Sequence, residues 1–89
     1  MKCCRQFVIS GLVQGVYYRA STQHEATKLN LTGYVRNLSD GRVEAELCGI
    51  ESALDEMEKW FWKGPVMSKV ENIQVLTAPP KDYHSVEIR

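Results

Sequence analysis

Apolar and polar side chains alternate near the start of the chain. Phe7 and Ile9 alternate with Gln6 and Ser10, which is the period of a half-buried β-strand. We therefore predict a strand over residues 5–13. The period then lengthens to that of a helix, which is predicted from Tyr17 or Tyr18 to Leu29. The residues that share one face of this helix are Tyr18, Thr22, Ala26 and Leu29.

Two strands joined by a tight turn are predicted next, over residues 31–37 and 42–48. In the second of them, apolar residues at every other position alternate with mostly charged ones. The segment between the strands, Leu38-Ser39-Asp40-Gly41, contains the Asp-Gly pair that is typical of a hairpin turn.

The second half of the chain predicts another helix and two more strands. Ser52 followed by Asp55 three residues later is a typical helix start, and Gly64-Pro65 is a typical stop. The apolar stripe of this helix consists of Ala53, Leu54, Met57, Trp60 and Phe61. The remaining elements are an imperfect strand pattern over residues 68–76, a loop over 77–84 and a short terminal strand over 86–89.

This order of elements predicts an α+β fold, a ferredoxin-like βαββαβ sandwich in a single domain of residues 1–89. We expect a mixed sheet with the core strand order 4-1-3-2, both helices on one face and the short terminal strand as an addition. Strands one and two are then parallel, so both end at the same edge of the sheet. Arg19, in the loop and helix start after strand one, and Asn37, at the end of strand two, are expected to face a common space about 10 Å apart at the backbone.

Composition limits the function classes. The 89 residues leave room for one domain, and 44% hydrophobic with 25% charged residues is typical of a globular protein. The apolar stretch over residues 7–13 is interrupted by Ser10 and Gly11 and is too short to span a membrane. We therefore expect a cytoplasmic location and no membrane partner.

The charges are unevenly placed although the formal net charge is zero. Residues 1–43 contain six basic and two acidic residues, and residues 44–89 contain five basic and nine acidic ones. Nucleic-acid binders usually carry a strong basic excess, so a general affinity for nucleic acid is not supported. The hypothesis that the first half of the chain binds a small anion stays open.

Three cysteines, Cys3, Cys4 and Cys48, form no C-x-x-C pair and have no histidine at ligand spacing. This argues against a metal site and against a disulfide framework. In the predicted topology, however, Cys4 and Cys48 lie on neighbouring strands and on the face away from the helices. A Cys4–Cys48 disulfide is therefore geometrically allowed, and a reducing cytosol makes it optional.

The segment from Gly11 to Arg19 joins the first strand to the first helix, and Gly11 is expected to end that strand. Its two glycines let the backbone approach a ligand, and unpaired N–H groups at a helix start favour an anion. Arg19 adds a charged, bidentate donor for phosphate oxygens. The spacing alone also fits an ordinary loop with a solvated arginine. Likewise, Asn37 fits a turn asparagine bonded to its own backbone.

Two longer motifs resemble the signatures of one family. Gly-Leu-Val-Gln-Gly-Val-Tyr-Tyr-Arg, residues 11–19, closely resembles the first signature of the acylphosphatase family. Gly-Tyr-Val-Arg-Asn-Leu-Ser-Asp-Gly-Arg-Val, residues 33–43, followed by Gly49, resembles the second. The resemblance extends over essentially the whole chain. The sequence departs from the residues that are frequent in the family at Leu12, Tyr17, Tyr18 and Val86.

The resemblance implies an enzyme that hydrolyses the carboxyl–phosphate anhydride of acyl phosphates without a metal or cofactor. It implies that Arg19 holds the phosphoryl group and that Asn37 orients the attacking water. The residues implied to bind the phosphate, largely through backbone amides, are Gln14, Gly15, Val16, Tyr17, Tyr18 and Arg19.

The residues present agree with this chemistry. A carboxylate leaving group is stable as an anion at neutral pH, so the reaction needs no general acid. The chain accordingly has no catalytic cysteine, histidine pair or carboxylate cluster that its motifs would identify. We expect His24 and His84 on the surface and Asp40 in a turn-forming role.

Two other functions stay open at this point. The same architecture hosts RNA-recognition domains, but the third strand here is acidic and lacks the aromatic residues on which bases stack. The chain is also similar to the acylphosphatase-like N-terminal domain of the carbamoyltransferases that mature hydrogenases, which are much longer. The sequence shows no motif for a specificity pocket, so it does not identify which acyl phosphate is the physiological substrate. A monomer is expected.

Overall fold

A computed structural model describes residues 2–89, so Met1, the first residue of the predicted domain, lies outside the described range. The elements in chain order are β1 (Lys2–Leu12), α1 (Tyr18–Lys28), β2 (Thr32–Asn37), β3 (Val43–Ile50), α2 (Glu51–Lys63), β4 (Lys69–Ala78) and β5 (Val86–Ile88). Every predicted helix and strand is present. Neither α1 nor α2, the helices of the described range, is long and apolar enough to cross a lipid bilayer.

The five strands form one sheet in the order β4-β1-β3-β2-β5. β1 is antiparallel to both β3 and β4, and β2 is antiparallel to β3. β1 and β2 therefore run in the same direction, and the predicted core order is confirmed. The short β5 extends the sheet parallel to β2. The α+β ferredoxin-like prediction is correct.

Both helices pack on one face of the sheet. The buried residues of α1 are Tyr18, Thr22 and Ala26, and those of α2 are Ala53, Leu54, Met57 and Phe61. The strand residues that pack against them in the same core include Phe7, Ile9, Val43, Ala45 and Leu47. Full burial of a large apolar side chain stabilises a fold by about 1.5–3 kcal/mol, so this layer holds both helices in place.

Gly11 does not end β1, contrary to the prediction. The strand continues past it, and its register with β4 shifts between Ser10 and Gly11. Glu71 of β4 has no partner in β1 at this point, as in a β-bulge. Because of this extra residue, Val70 and Ile73 both pack against the core although they are three positions apart. The bulge explains the imperfect strand pattern.

The start of α2 also differs from the prediction. The helix begins at Glu51, directly after β3 ends at Ile50. Ile50, whose apolar side chain cannot cap the helix, occupies the position before the first turn. Ser52 is therefore a residue of the first turn and not the cap. The strand runs into the helix without a loop, which a capping pattern cannot reveal.

The opposite face of the sheet is crossed by residues 79–85, which connect β4 at one edge with β5 at the other. We call these residues the covering segment. Within it, the Tyr83 hydroxyl donates a hydrogen bond to the Glu46 carboxylate, and Lys81 Nζ donates to the same group at 3.0 Å. The covering segment is thus fastened to the middle of β3.

A disulfide joins Cys4 and Cys48 beside the covering segment, and Tyr83 packs against the small cluster that the two cysteines form with Ala78. The two residues face each other in the register between β1 and β3. They lie on the sheet face away from the helices, as the alternation predicts. Cys3 is free and packs against the helix-side core.

Candidate active site

A cavity of about 370 Å³ opens at the edge of the sheet where β1, β2 and β5 end. The N-terminus of α1 and the loop before it form one side. The residues that line the cavity are Val13, Gly15, Tyr17, Tyr18, Arg19, Ala20, Asn37 and Ile88. Its volume is that of a small-molecule site.

Arg19 and Asn37 meet in this cavity. Arg19 lies in the first turn of α1, and Asn37 is the last residue of β2. Because β1 and β2 are parallel, the loop after β1 and the end of β2 lie at the same edge. The structure therefore brings the two side chains to a common space, as the sequence predicts.

Other groups close the turn after Asn37. The Leu38 N–H donates to the Arg42 carbonyl at 2.8 Å, and the Asp40 carboxylate accepts the Arg42 N–H at 3.2 Å. Asp40 thus has the expected turn-forming role. The exposed side chain of Asn37 is not needed to hold the turn, which weakens its interpretation as a turn asparagine.

Two residues of the loop before α1 have a left-handed backbone. Gly15 has a φ of 76°, and Tyr17 has a φ of 64° although it is not a glycine. Such conformations of non-glycine residues are uncommon and cluster at functional sites. The Tyr17 carbonyl accepts the Ser21 N–H at 3.0 Å, but its side chain does not cap the helix. The first N–H groups of α1 are left to attract an anion.

Tyr18 anchors the start of α1 in the core. Its ring packs on Trp60 and Phe61, and its hydroxyl donates to the Phe61 carbonyl at 2.6 Å. Burial raises the pKa of Tyr18 far above its ordinary value, so the hydroxyl stays protonated as a donor. Arg19, the next residue, consequently starts from a fixed backbone position.

Gln14 ties the loop to the turn between β2 and β3. Its Nε2 donates to the Leu38 carbonyl at 2.8 Å and to the Arg42 carbonyl at 3.0 Å. This link holds the loop of Arg19 next to the turn that follows Asn37. The sequence predicts a role for the backbone of Gln14 but not for its side chain, because a single glutamine in a loop gives no indication of its distant partners.

β5 supplies a wall of the cavity that sequence reasoning also missed. Ile88 lines the cavity, and the Arg19 guanidinium donates to the Arg89 carbonyl at 3.4 Å. Gln23 of α1 donates to the Val86 carbonyl at 2.8 Å and so fixes the helix against the same strand. The position of Arg19 therefore depends on β5 as well as on its own helix.

The predicted phosphate-binding residues fall into two groups. Those that line the cavity are Gly15, Tyr17, Tyr18 and Arg19, and the others, Gln14 and Val16, do not. His24 and His84 are exposed, as expected. Within residues 2–89, no three His, Cys, Asp or Glu side chains come close enough together to hold a metal ion.

Comparison with known proteins assigns the family. The acylphosphatase family model matches residues 5–88. The chain belongs to the acylphosphatase family. An acylphosphatase from Nitrosococcus oceani is 42% identical over 89 residues, which cover all of both chains. The structure of an acylphosphatase from Coxiella burnetii has a TM-score of 0.96 at 36% identity and covers 99% of this chain and 93% of that one.

Membership in the acylphosphatase family makes the protein a hydrolase that acts on a small acyl phosphate. The chain is also similar to part of a longer protein, full-length HypF in its phosphate- and nucleotide-bound form. That match has a TM-score of 0.90 at 28% identity and covers all of this chain but 12% of HypF.

Proposed function

We propose that this acylphosphatase hydrolyses the carboxyl–phosphate anhydride with Arg19 and Asn37 and without a metal. The observation that carries the proposal is the meeting of a guanidinium, a primary amide and an uncapped helix start in one cavity. Phosphoryl transfer depends mainly on positioning and on neutralising charge at the equatorial phosphoryl oxygens. These groups are suited to both tasks.

In this proposal, Arg19 and the backbone N–H groups of residues 14–19 hold the phosphoryl oxygens. Donors fixed in advance stabilise the charge that develops in the transition state. Asn37 orients the attacking water, since its amide carries both an acceptor and donors. The water oxygen bonds to phosphorus as the bond from phosphorus to the acyl oxygen breaks. The products are a carboxylate and inorganic phosphate, and a proton of the water passes to solvent.

The proposal requires no general acid. The departing carboxylate is a weak base, so it leaves as an anion without a proton. An asparagine and an arginine therefore suffice for an anhydride, whereas an unactivated phosphate ester would need an acid, a nucleophile or metal ions.

The test is steady-state hydrolysis of benzoyl phosphate in EDTA. Arg19→Ala is expected to lose at least about 10²-fold in kcat/KM, the scale for a key transition-state donor, together with inhibition by inorganic phosphate. Asn37→Ala is expected to lose turnover to a similar degree but to keep inhibition by phosphate, because Asn37 acts on the water and not on the anion. Hydrolysis in ¹⁸O-water should place the label in phosphate.

Matched controls are Arg36→Ala, which changes the neighbour of Asn37 in β2, and Asn72→Ala, which changes an exposed residue of β4. Both are expected to keep near wild-type turnover, and circular dichroism checks the fold of every variant. Near-normal turnover in folded Arg19→Ala would disprove its role. Parallel loss of turnover and phosphate inhibition in Asn37→Ala would indicate a structural asparagine.

We propose that residues 1–89 act as one domain. A monomeric state, a cytoplasmic location and the lack of nucleic-acid binding stay predictions.

A further inference from the structure

A second cavity, of about 430 Å³, adjoins the first. It lies between α1 and α2 and is lined by Ser21, His24, Trp60, Lys63, Gly64 and Pro65, among others. We call it the interhelical groove. Ala20 lines both cavities, so the two spaces share this residue as a border.

Trp60 is partly exposed and gives the interhelical groove an aromatic wall, which is backed by the buried Tyr18 at the start of α1. Tyr18 lines the first cavity, and Trp60 lines the interhelical groove. Their ring centroids lie 5.7 Å apart, which is contact distance for aromatic rings. Ala20, which borders both cavities, is exposed and has only a methyl side chain, so it presents little bulk between them.

The charges of the interhelical groove do not favour an ionic ligand. Glu25 lines the groove and is paired with Lys28 at 3.6 Å, and Lys63 at the other side carries the opposite charge. His24 is exposed there. Trp60 and Pro65, the apolar residues that line the groove, therefore offer a ligand more distinctive contacts than the charged residues do.

Resting on the proposed function, we propose that the interhelical groove binds the acyl group of the substrate. The enzyme then favours acyl phosphates with an aromatic or extended aliphatic body over acetyl phosphate. With the phosphoryl group at Arg19, the substituent of the acyl carbon passes Ala20 and lies on Trp60. Contacts so far from the phosphorus are equally strong in the ground state and the transition state, so they lower KM more than they raise kcat.

The test compares kcat/KM for 3-phenylpropanoyl phosphate and acetyl phosphate. The wild type is expected to favour the larger substrate by at least about tenfold, the effect of a few apolar contacts. Ala20→Phe, which adds bulk at the border between the two cavities, and His24→Trp, which fills the interhelical groove, are each expected to reduce this preference to about twofold or less. The loss should appear in KM for the larger substrate.

The matched control is Thr27→Phe, an aromatic substitution at an exposed position of the same helix that lines neither cavity. It is expected to keep the wild-type preference. Equal kcat/KM of the wild type for both substrates, or the same preference in all three folded variants, would overturn the inference while leaving the proposed function intact. Failure of the folded wild type to hydrolyse either substrate would overturn the proposed function itself.

Discussion

At the scale of single residues, Glu46 is an unusual feature, a carboxylate only 4% exposed on β3. Burial by itself would raise the pKa of Glu46, but hydrogen bonds from Tyr83 and Lys81 outweigh it and hold the pKa below its ordinary value. Burial and the hydrogen bond to Glu46 raise the pKa of Tyr83 to about 12. Glu46 therefore stays ionised and Tyr83 stays neutral across the neutral pH range, and the hydrogen bond between them holds the covering segment on the sheet.

Glu46 is expected to make stability depend on acid pH. Because its pKa is lower in the folded chain than in the unfolded one, its stabilisation is complete above the ordinary value of 4.5 and is lost as pH falls through the folded value. Glu46→Gln should flatten that acid dependence. It should also lower the free energy of unfolding at neutral pH by about 1–3 kcal/mol, because it leaves the hydrogen bonds imperfectly paired.

Urea denaturation at neutral pH and at a series of acidic pH values measures both effects. Glu56→Gln, which changes an exposed carboxylate of α2, serves as the control and should behave like the wild type. An unchanged acid dependence in Glu46→Gln would show that another carboxylate is responsible.

At the scale of elements, the Gln14 side chain is the link between the loop before α1 and the turn between β2 and β3. Gln14→Ala is expected to lower kcat by about 10–100-fold, because small displacements of positioned groups are costly in catalysis. The fold should persist, since the side chain is only partly buried and is not part of the hydrophobic core.

Stopped-flow or steady-state turnover of benzoyl phosphate, with circular dichroism alongside, measures the effect. Gln74→Ala, at an exposed position of β4, is the matched control and should retain full turnover. A Gln14→Ala enzyme with wild-type kcat would show that the loop keeps its position without this link.

The helices and strands could be predicted because each buries one face, and burial imposes a period on the chain. The first and last residues of the strands could not be predicted in this way, because they depend on pairing with neighbouring strands. The bulge that carries β1 past Gly11 exists only through pairing with β4, and the direct passage from Ile50 to Glu51 leaves no turn residues to mark it.

The same distinction applies to the candidate site. Arg19 and Asn37 could be located because Arg19 follows one recognisable strand, Asn37 ends another, and the two strands are parallel. Gln14 and Ile88 act through contacts with distant segments, so the residues next to them in the sequence give no indication of these contacts.

At the scale of the whole molecule, the Cys4–Cys48 disulfide closes a loop with a sequence separation of 44. Its reduction is expected to lower the free energy of unfolding by up to about 4 kcal/mol, the chain-entropy value for a loop of this size. The kcat at 25 °C should not change. The disulfide and the cavity lie at opposite ends of β3, about 17 Å apart along the strand.

Denaturation with and without dithiothreitol measures the effect, and peptide mapping under non-reducing conditions identifies the bond in air-oxidised protein. A variant with both Cys4→Ser and Cys48→Ser should match the reduced wild type and should not respond to dithiothreitol. The absence of a Cys4–Cys48 crosslink from the map would contradict the assignment.

The contact between the Arg19 guanidinium and the Arg89 carbonyl joins residues 70 positions apart. Contacts of such long sequence separation tend to form late, because closing a large loop costs entropy before the contact is made. Because β5 is an edge strand of only three residues, a folding chain can contain both helices and the other four strands while its cavity still lacks the wall that β5 supplies. The recovery of catalytic turnover during refolding therefore measures the docking of β5. Circular dichroism, which follows mainly the helices, would not detect this step.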